Sequence, residues 1–405
     1  MNTYRRDFYY AECDYGEEEI QAVMDVLQNG RLALMDGPRV REAEEKLTAV
    51  FGRSGGLMVN SGSSANLLGL AALDLPKGSR VATPALTFST TVAPIVQLGL
   101  EPVFIDVDPN TLQITPETLG SIDLSNISAV LAPNLMGNTV DWRSIREHVG
   151  EDVLLFEDSA DTIGYRYDIN PEESSPVDVS STSFYASHVI TGAGFGGFVG
   201  FKHQEHLERA KLLRGWGRRS TIYGEREEPE NRFGALVDGV EYDAKYIFDD
   251  FGYNFLPSEI SAAFVLVQLE KLKANMARRI ENYNSLKSQI EEEFGDILQV
   301  MEFTDGMVTA PLAFPVIIKP GAPFSRRELQ EILENHGVQT RTCFTGNITR
   351  QPAAKAHGIT SQSLEVSDWV MKSGMLLGCH QRMTLAKVDE LYQVLRKTVT
   401  GMISY

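Results

Sequence analysis

Cysteine is scarce in this chain. Only Cys13, Cys343 and Cys379 occur in 405 residues, and no two of them form a C-x-x-C pair. That excludes a disulfide framework and a closed metal or iron–sulfur site as organising features, and it points to a reducing compartment, the cytoplasm. Basic charge is also in deficit: 37 Lys+Arg stand against 55 Asp+Glu, for a net charge of -18. A chain of that sign is not suited to a nucleic-acid backbone, although a local basic pocket can still hold a small anion. No apolar run approaches the roughly 20 residues needed to span a bilayer. The opening "MNTYRRDFYYAECDYGEEEI" has no apolar core of the signal-peptide kind. No membrane partner is expected. Internal repeats and low-complexity segments are absent as well.

What is present is an alternation of short apolar runs and helical patterns. "NSGSSANLLGLAAL" reads as a turn opening a helix, with Leu67, Leu68, Ala71 and Ala72 at helical spacing. "RVATPA" and "EPVFIDV" read as strands around the helix "STTVAPIVQLG", which Gly99 closes; "ISAVLAP" and "VLLFEDSA" are two more strands. This rhythm predicts an α/β fold with a mainly parallel sheet covered by helices on both faces. Ligands bind such sheets at the carboxyl ends of the strands, which directs attention to Phe88, Asn134, Asp158 and the segment around His188. The polar stretch "STIYGEREEPENRF" reads as an exposed loop. From Ser258 a long helical pattern, with room for a break, leaves the large domain for a small α/β unit. That unit holds the strand "PLAFPVIIK" and the helix "SRRELQEILENHG", with Ser325 and Glu328 as a capping box and Gly337 as its stop. A last helix starts near Leu385.

Gly192, Gly194 and Gly197 spell G-x-G-x-x-G, but "GGFVGF" continues as a strand, so a dinucleotide fingerprint is rejected in favour of a tight turn that brings backbone close to a ligand. Gly62, Ser63 and Ser64 at a helix start offer free N–H groups, hydroxyls and the positive dipole end, which suits an anion; an ordinary serine cap is the alternative. Asp158 at a strand end is either a helix cap or the carboxylate that keeps a pyridine nitrogen protonated, with Phe88 as either core or the ring stacked on that cofactor.

Taken together, "VNSGSSANLLGLAAL", "TPALTFSTTVAPIVQLGLEPVFIDVD", "EDSADTIG", "STSFYASH", "GYNFLPSEISAAFVLVQLEKL" and "TRTCFTGNITRQP" resemble the pyridoxal-phosphate sugar aminotransferase family, from about Tyr15 to about Arg382. The resemblance implies the aspartate-aminotransferase-like fold, type I of the pyridoxal-phosphate-dependent transferases: a mainly parallel seven-stranded sheet, a small C-terminal α/β domain and a homodimer. Residues 1–260 would be the large cofactor-binding domain, with the N-terminal segment packing on the small domain. Residues 261–405 would be the linking helix and the small domain. In the family's aminotransferases the position of His188 is a lysine that holds the cofactor covalently. A histidine there resembles the 3-dehydratase branch, which acts on nucleotide-linked 4-keto-6-deoxyhexoses with pyridoxal or pyridoxamine phosphate and with glutamate as amino donor. "NSGSSANL", Asp161 in place of glutamine, and "GNITRQP" lean the same way.

By the same resemblance His188 is the acid/base and Asp158 pairs with the pyridine nitrogen. Phe88 stacks on the ring, and Asp161 lies near the ring hydroxyl. Gly62, Ser63, Ser64 and Ser183 hold the phosphate, joined by Asn254 from the partner subunit. Ser187 and Arg218 are candidates for substrate contact. An iron–sulfur cluster is not expected, since the segment after "WGR" carries Ser220 rather than cysteine. Val189 and "GAGFGG" depart from the branch, where a second histidine and a glutamate stand. Two other readings are a transaminase or other pyridoxal enzyme acting on a different ketone, with a different lysine such as Lys202 or no covalent link, and a catalytically silent member that binds a nucleotide sugar or regulates a partner.

Overall fold

The computed structural model describes residues 6–170, 173–223, 229–360 and 363–404. Seven strands build the main sheet: β1 Gly55–Val59, β2 Arg80–Pro84, β3 Glu101–Ile105, β4 Ile127–Pro133, β5 Leu154–Asp158, β6 Val179–Ser183 and β7 Gly197–Phe201. Their spatial order is β1-β7-β6-β5-β4-β2-β3, and β7 alone runs antiparallel to its neighbours. The other ladders pair in parallel, so crossover connections rather than hairpins join their strands. Leu68 of the helix Gly62–Ala72 packs with Phe156, Val179 and Val199 on one face of the sheet, while Val130, Leu155, Trp142 and Ile145 form the core on the other. The expected α/β layering is therefore present.

The helix Ser89–Gln97 ends as predicted, with Gly99 in the left-handed region at φ 72°. The long helix Glu259–Phe294 runs 36 residues without a break, capped by the Ser258 hydroxyl. No glycine or proline lies inside it, so nothing in the sequence forces one. Beyond it, four antiparallel strands, Leu298–Val300, Phe314–Ile318, Gly374–Leu377 and Arg341–Thr342, form a second sheet in that spatial order. The Ser325–Glu328 capping box is formed, Gly337 adopts φ 82° just past that helix, and the last helix covers Leu385–Ile403. The N-terminal segment lies against this second sheet's surroundings: Phe8 pairs with Val338, and the Tyr10 N–H donates to Gln339 Oε1 at 2.9 Å.

One reading needs correction. "STIYGEREEPENRF" is not wholly loop, since Ser220–Tyr223 and Pro229–Arg232 form short helical turns. Residues 224–228 of that stretch lie outside the described residues.

Candidate active site

A cavity of about 710 Å³ opens where β1, β2, β4, β5 and β6 end, with Gly194–Gly196 closing it just before β7. Chain reversal at these carboxyl ends leaves turns whose side chains and N–H groups face outward from the sheet. The cavity brings together Gly62, Ser63, Phe88, Asp158, Asp161, Ser183, Ser187 and His188.

Its first corner is the start of the helix Gly62–Ala72. Ser61 is the N-cap: its Oγ accepts from the Ser64 N–H at 3.1 Å and donates to Ser64 Oγ at 3.0 Å. Ser64 is thus turned to the cap and does not line the cavity, whereas Ser61 and the exposed Ser63 do. A Cβ on Gly62 would lie 2.5 Å from Ser183 Cβ, so only glycine lets the helix end dock on the end of β6. The resulting corner joins helix N–H groups to the hydroxyls of Ser63 and Ser183, a donor set suited to a phosphate. The glycine turn lies beside this corner, Gly196 pairing with Ser61, with Gly194 at φ 87° and Gly196 at φ 115°, in keeping with the tight-turn reading.

Asp158 sits deeper. Its Oδ2 accepts from Asn66 Nδ2 and from Thr91 Oγ1, both at 2.7 Å, while Oδ1 accepts only the Ala160 N–H at 3.2 Å. Asn66 is itself held by Ser181 Oγ at 2.5 Å. Burial raises the carboxyl's pKa, and the three donors only partly oppose it. A buried carboxylate with a lightly bonded oxygen facing a cavity suits a cationic N–H. Asp161 accepts the Met136 N–H at 2.9 Å and is pushed up to about 7, by burial first and then by the charge of Asp158. Phe88 is half-exposed in the cavity, with its ring edge-on to Phe344 at 5.9 Å.

His188 lies between β6 and β7, half-buried, with Nδ1 3.0 Å from the Ser183 carbonyl oxygen. A carbonyl only accepts, so Nδ1 carries the proton and Nε2 presents a lone pair. Burial, reinforced by the Arg279 charge, lowers the imidazole pKa to about 4 against the Ser183 bond that raises it. The ring is therefore neutral at pH 7 and set up to accept a proton. Its loop is pinned at two points: Gln381 Nε2 donates to the Val189 carbonyl at 3.4 Å, and Gln268 Oε1 accepts the Thr191 N–H at 3.4 Å.

Besides Ser64, four candidates stand apart from this group. Asn134 is fully buried and saturated: Nδ2 donates to Ser159 and Glu157, and Oδ1 accepts from Val140 and Trp142. It braces the loop after β4 instead of facing a ligand. Arg218 lies over the rings of Trp216 and Tyr246, and Asn254 is exposed beside Gly215; neither lines this chain's cavity. Lys202 follows β7 at its far end, about 15 Å of strand away from Gly197. Among the described residues that line the cavity, none is a lysine.

The cavity residues that escaped the sequence reading include Tyr10, Asn66, Thr91, Arg341 and Thr345. Asn66 carried a weak signal, one helical turn after Gly62 on the face toward the sheet; the others reach the site only through tertiary pairing.

A model of the DegT/DnrJ/EryC1/StrS aminotransferase family matches residues 13–396. The chain belongs to this family. Among its members, a dTDP-4-dehydro-2,6-dideoxy-D-glucose 3-dehydratase of Saccharopolyspora spinosa is 32% identical over 95% of this chain and 84% of its own. A GDP-4-keto-6-deoxy-D-mannose 3-dehydratase of Yersinia pseudotuberculosis is 27% identical over 96% of this chain and 98% of its own. A crystal structure of a GDP-4-keto-6-deoxymannose-3-dehydratase with a trapped PLP-glutamate geminal diamine superposes with a TM-score of 0.84 at 26% identity, covering 96% of this chain and 100% of that one. The family fold, the aspartate-aminotransferase-like type I, is the fold of this chain.

Proposed function

We propose that this family member is a pyridoxamine-phosphate-dependent 3-dehydratase of a nucleotide-linked 4-keto-6-deoxyhexose. The observation that carries the reading is His188: a neutral imidazole with Nε2 unpaired in a described cavity that holds no lysine. The residues fit the cofactor. Ser63, Ser183 and the helix start suit its phosphate, Asp158 suits its ring nitrogen, and Phe88 suits its ring face. When bound, the cofactor supplies an amino group that condenses with the sugar ketone and a protonated pyridine that takes up electrons.

The chain's own groups then act as follows. Asp158 keeps the ring nitrogen protonated. His188 Nε2 removes a proton from the carbon bearing the cofactor's amino group and delivers a proton to the C3 hydroxyl as it leaves. Asp161 would sit toward the ring hydroxyl, and Ser187 would contact substrate. Overall the sugar loses one oxygen, a two-electron reduction, while glutamate becomes 2-oxoglutarate and ammonia.

Asn254 acts across a homodimer, and Arg218 is a candidate for substrate contact. Leu32 and Phe251 are 104% and 99% exposed, and Leu34, Met35 and Phe248 are about half-exposed, apolar side chains of the kind a partner subunit covers. The division into a large domain over 1–260 and a unit over 261–405 fits this arrangement, with the cavity drawing on both. Among the described residues no helix is long and apolar enough to cross a membrane, and the three cysteines are free, which favours the cytoplasm.

A test follows from the absent lysine. Borohydride treatment of the holoenzyme, followed by intact-mass measurement, is expected to leave the protein without a cofactor adduct. A covalent adduct would overturn the reading and favour a transaminase.

A further inference from the structure

A nucleotide-linked sugar brings two negative charges to a protein that already carries -18. The cavity makes this worse, because it holds the carboxyl groups of Asp158 and Asp161 and receives the cofactor's phosphate at Ser63 and Ser183. An anionic substrate therefore needs a cation at the wall opposite that corner. Among the described residues lining the cavity, Arg341 is the one side chain with a permanent positive charge.

Arg341 opens the short strand Arg341–Thr342, paired with Leu376 on the second sheet. Its guanidinium is held in place without being neutralised. NH1 donates to the Thr340 carbonyl at 2.7 Å, and the group lies 5.8 Å from the centre of the Tyr10 ring. Among the described residues no carboxylate stands within ion-pair distance of it. The side chain is exposed, so it stands at the cavity mouth, and the cation that acts on His188 is Arg279 instead. A charge at the mouth, away from the proton-transferring imidazole, fits a group several bonds removed from the reacting carbon. The diphosphate of a nucleotide sugar is such a group. The α-carboxylate of an amino donor is not, because it is attached to the carbon that reacts.

Resting on the proposed nucleotide-sugar reading, we infer that Arg341 receives the substrate's diphosphate, with its fork of N–H donors matched to phosphate oxygens. Tyr10, whose ring centre lies 5.8 Å from the guanidinium, brings the N-terminal segment to the same site.

The probes are GDP, dTDP and CDP, titrated calorimetrically into holoenzyme, together with the glutamate half-reaction followed by cofactor absorbance. At least one nucleoside diphosphate is expected to bind the wild type. Arg341→Ala should weaken that binding by about 10-fold or more, and Arg341→Lys should recover part of the loss. The variant's glutamate half-reaction should keep the wild-type rate, and its KM for nucleotide sugar should rise while kcat changes little. Equal nucleoside-diphosphate affinity in wild type and Arg341→Ala would overturn the assignment. A loss confined to the glutamate half-reaction would also overturn it, assigning Arg341 to the donor's carboxylate. Failure of all three probes to bind the wild type would overturn the nucleotide-sugar reading itself, and the role of Arg341 with it.

Discussion

Replacement of His188 by asparagine is expected to slow formation of the 3-deoxy sugar by about 10²–10⁴-fold, the usual worth of a positioned general base. Asparagine can still meet the Ser183 carbonyl, which now accepts from Nδ1 at 3.0 Å, so the loop and the bound cofactor's absorbance should survive. What disappears is the lone pair on Nε2. The pH dependence carries the same information. The imidazole is held down at about 4 by burial, so the active neutral form persists well below 6.5. An NMR titration, with the His188 signal assigned by its absence from the His188→Asn variant, should show a midpoint near 4. A midpoint near 6.5 would contradict the desolvated site. The unfolded chain binds that proton more tightly than the folded one, so this group removes stability as pH falls through the window between 6.5 and 4.

Asp158→Asn should be nearly as damaging, at about 10²–10³-fold in turnover, because an amide cannot balance a protonated pyridine nitrogen. The effect on stability has the opposite sense. In the protein without cofactor, Asp158 is a buried carboxylate whose pKa burial raises, and a neutral side chain removes that desolvation cost. Thermal unfolding should therefore show an apo variant no less stable than the wild type, with a smaller rise in Tm on adding cofactor. A full cofactor-dependent rise in the variant would show that Asp158 does not face the ring nitrogen.

Much of the fold was legible because its signals are local. Short apolar runs marked β2 to β5, the Ser325–Glu328 box marked a helix start, and "GGFVGF" ruled out a dinucleotide turn. The catalytic reading of His188 was not local, since a histidine between two strands has many ordinary uses. Only the resemblance of the surrounding segments gave it a role, and the structure supplied its tautomer and its lowered pKa. Asn134 misled because a polar residue after a strand looks like a ligand contact until its four partners are seen. Tyr10 and Arg341 were invisible because they meet through Phe8 pairing with Val338 and Tyr10 reaching Gln339, contacts hundreds of residues apart. Patterns of period two or 3.6 carry no information about such pairings.

The central claim is elimination at C3, with the nitrogen released. The most direct measurement incubates the holoenzyme with glutamate and GDP-, CDP- and dTDP-linked 4-keto-6-deoxyhexoses, then determines sugar product mass together with ammonia and 2-oxoglutarate. The account predicts a product lighter than its substrate by one oxygen atom, with ammonia and 2-oxoglutarate formed in equal amounts. A product that retains its C3 oxygen and carries the nitrogen, with no ammonia released, would make this chain a transaminase and contradict the account.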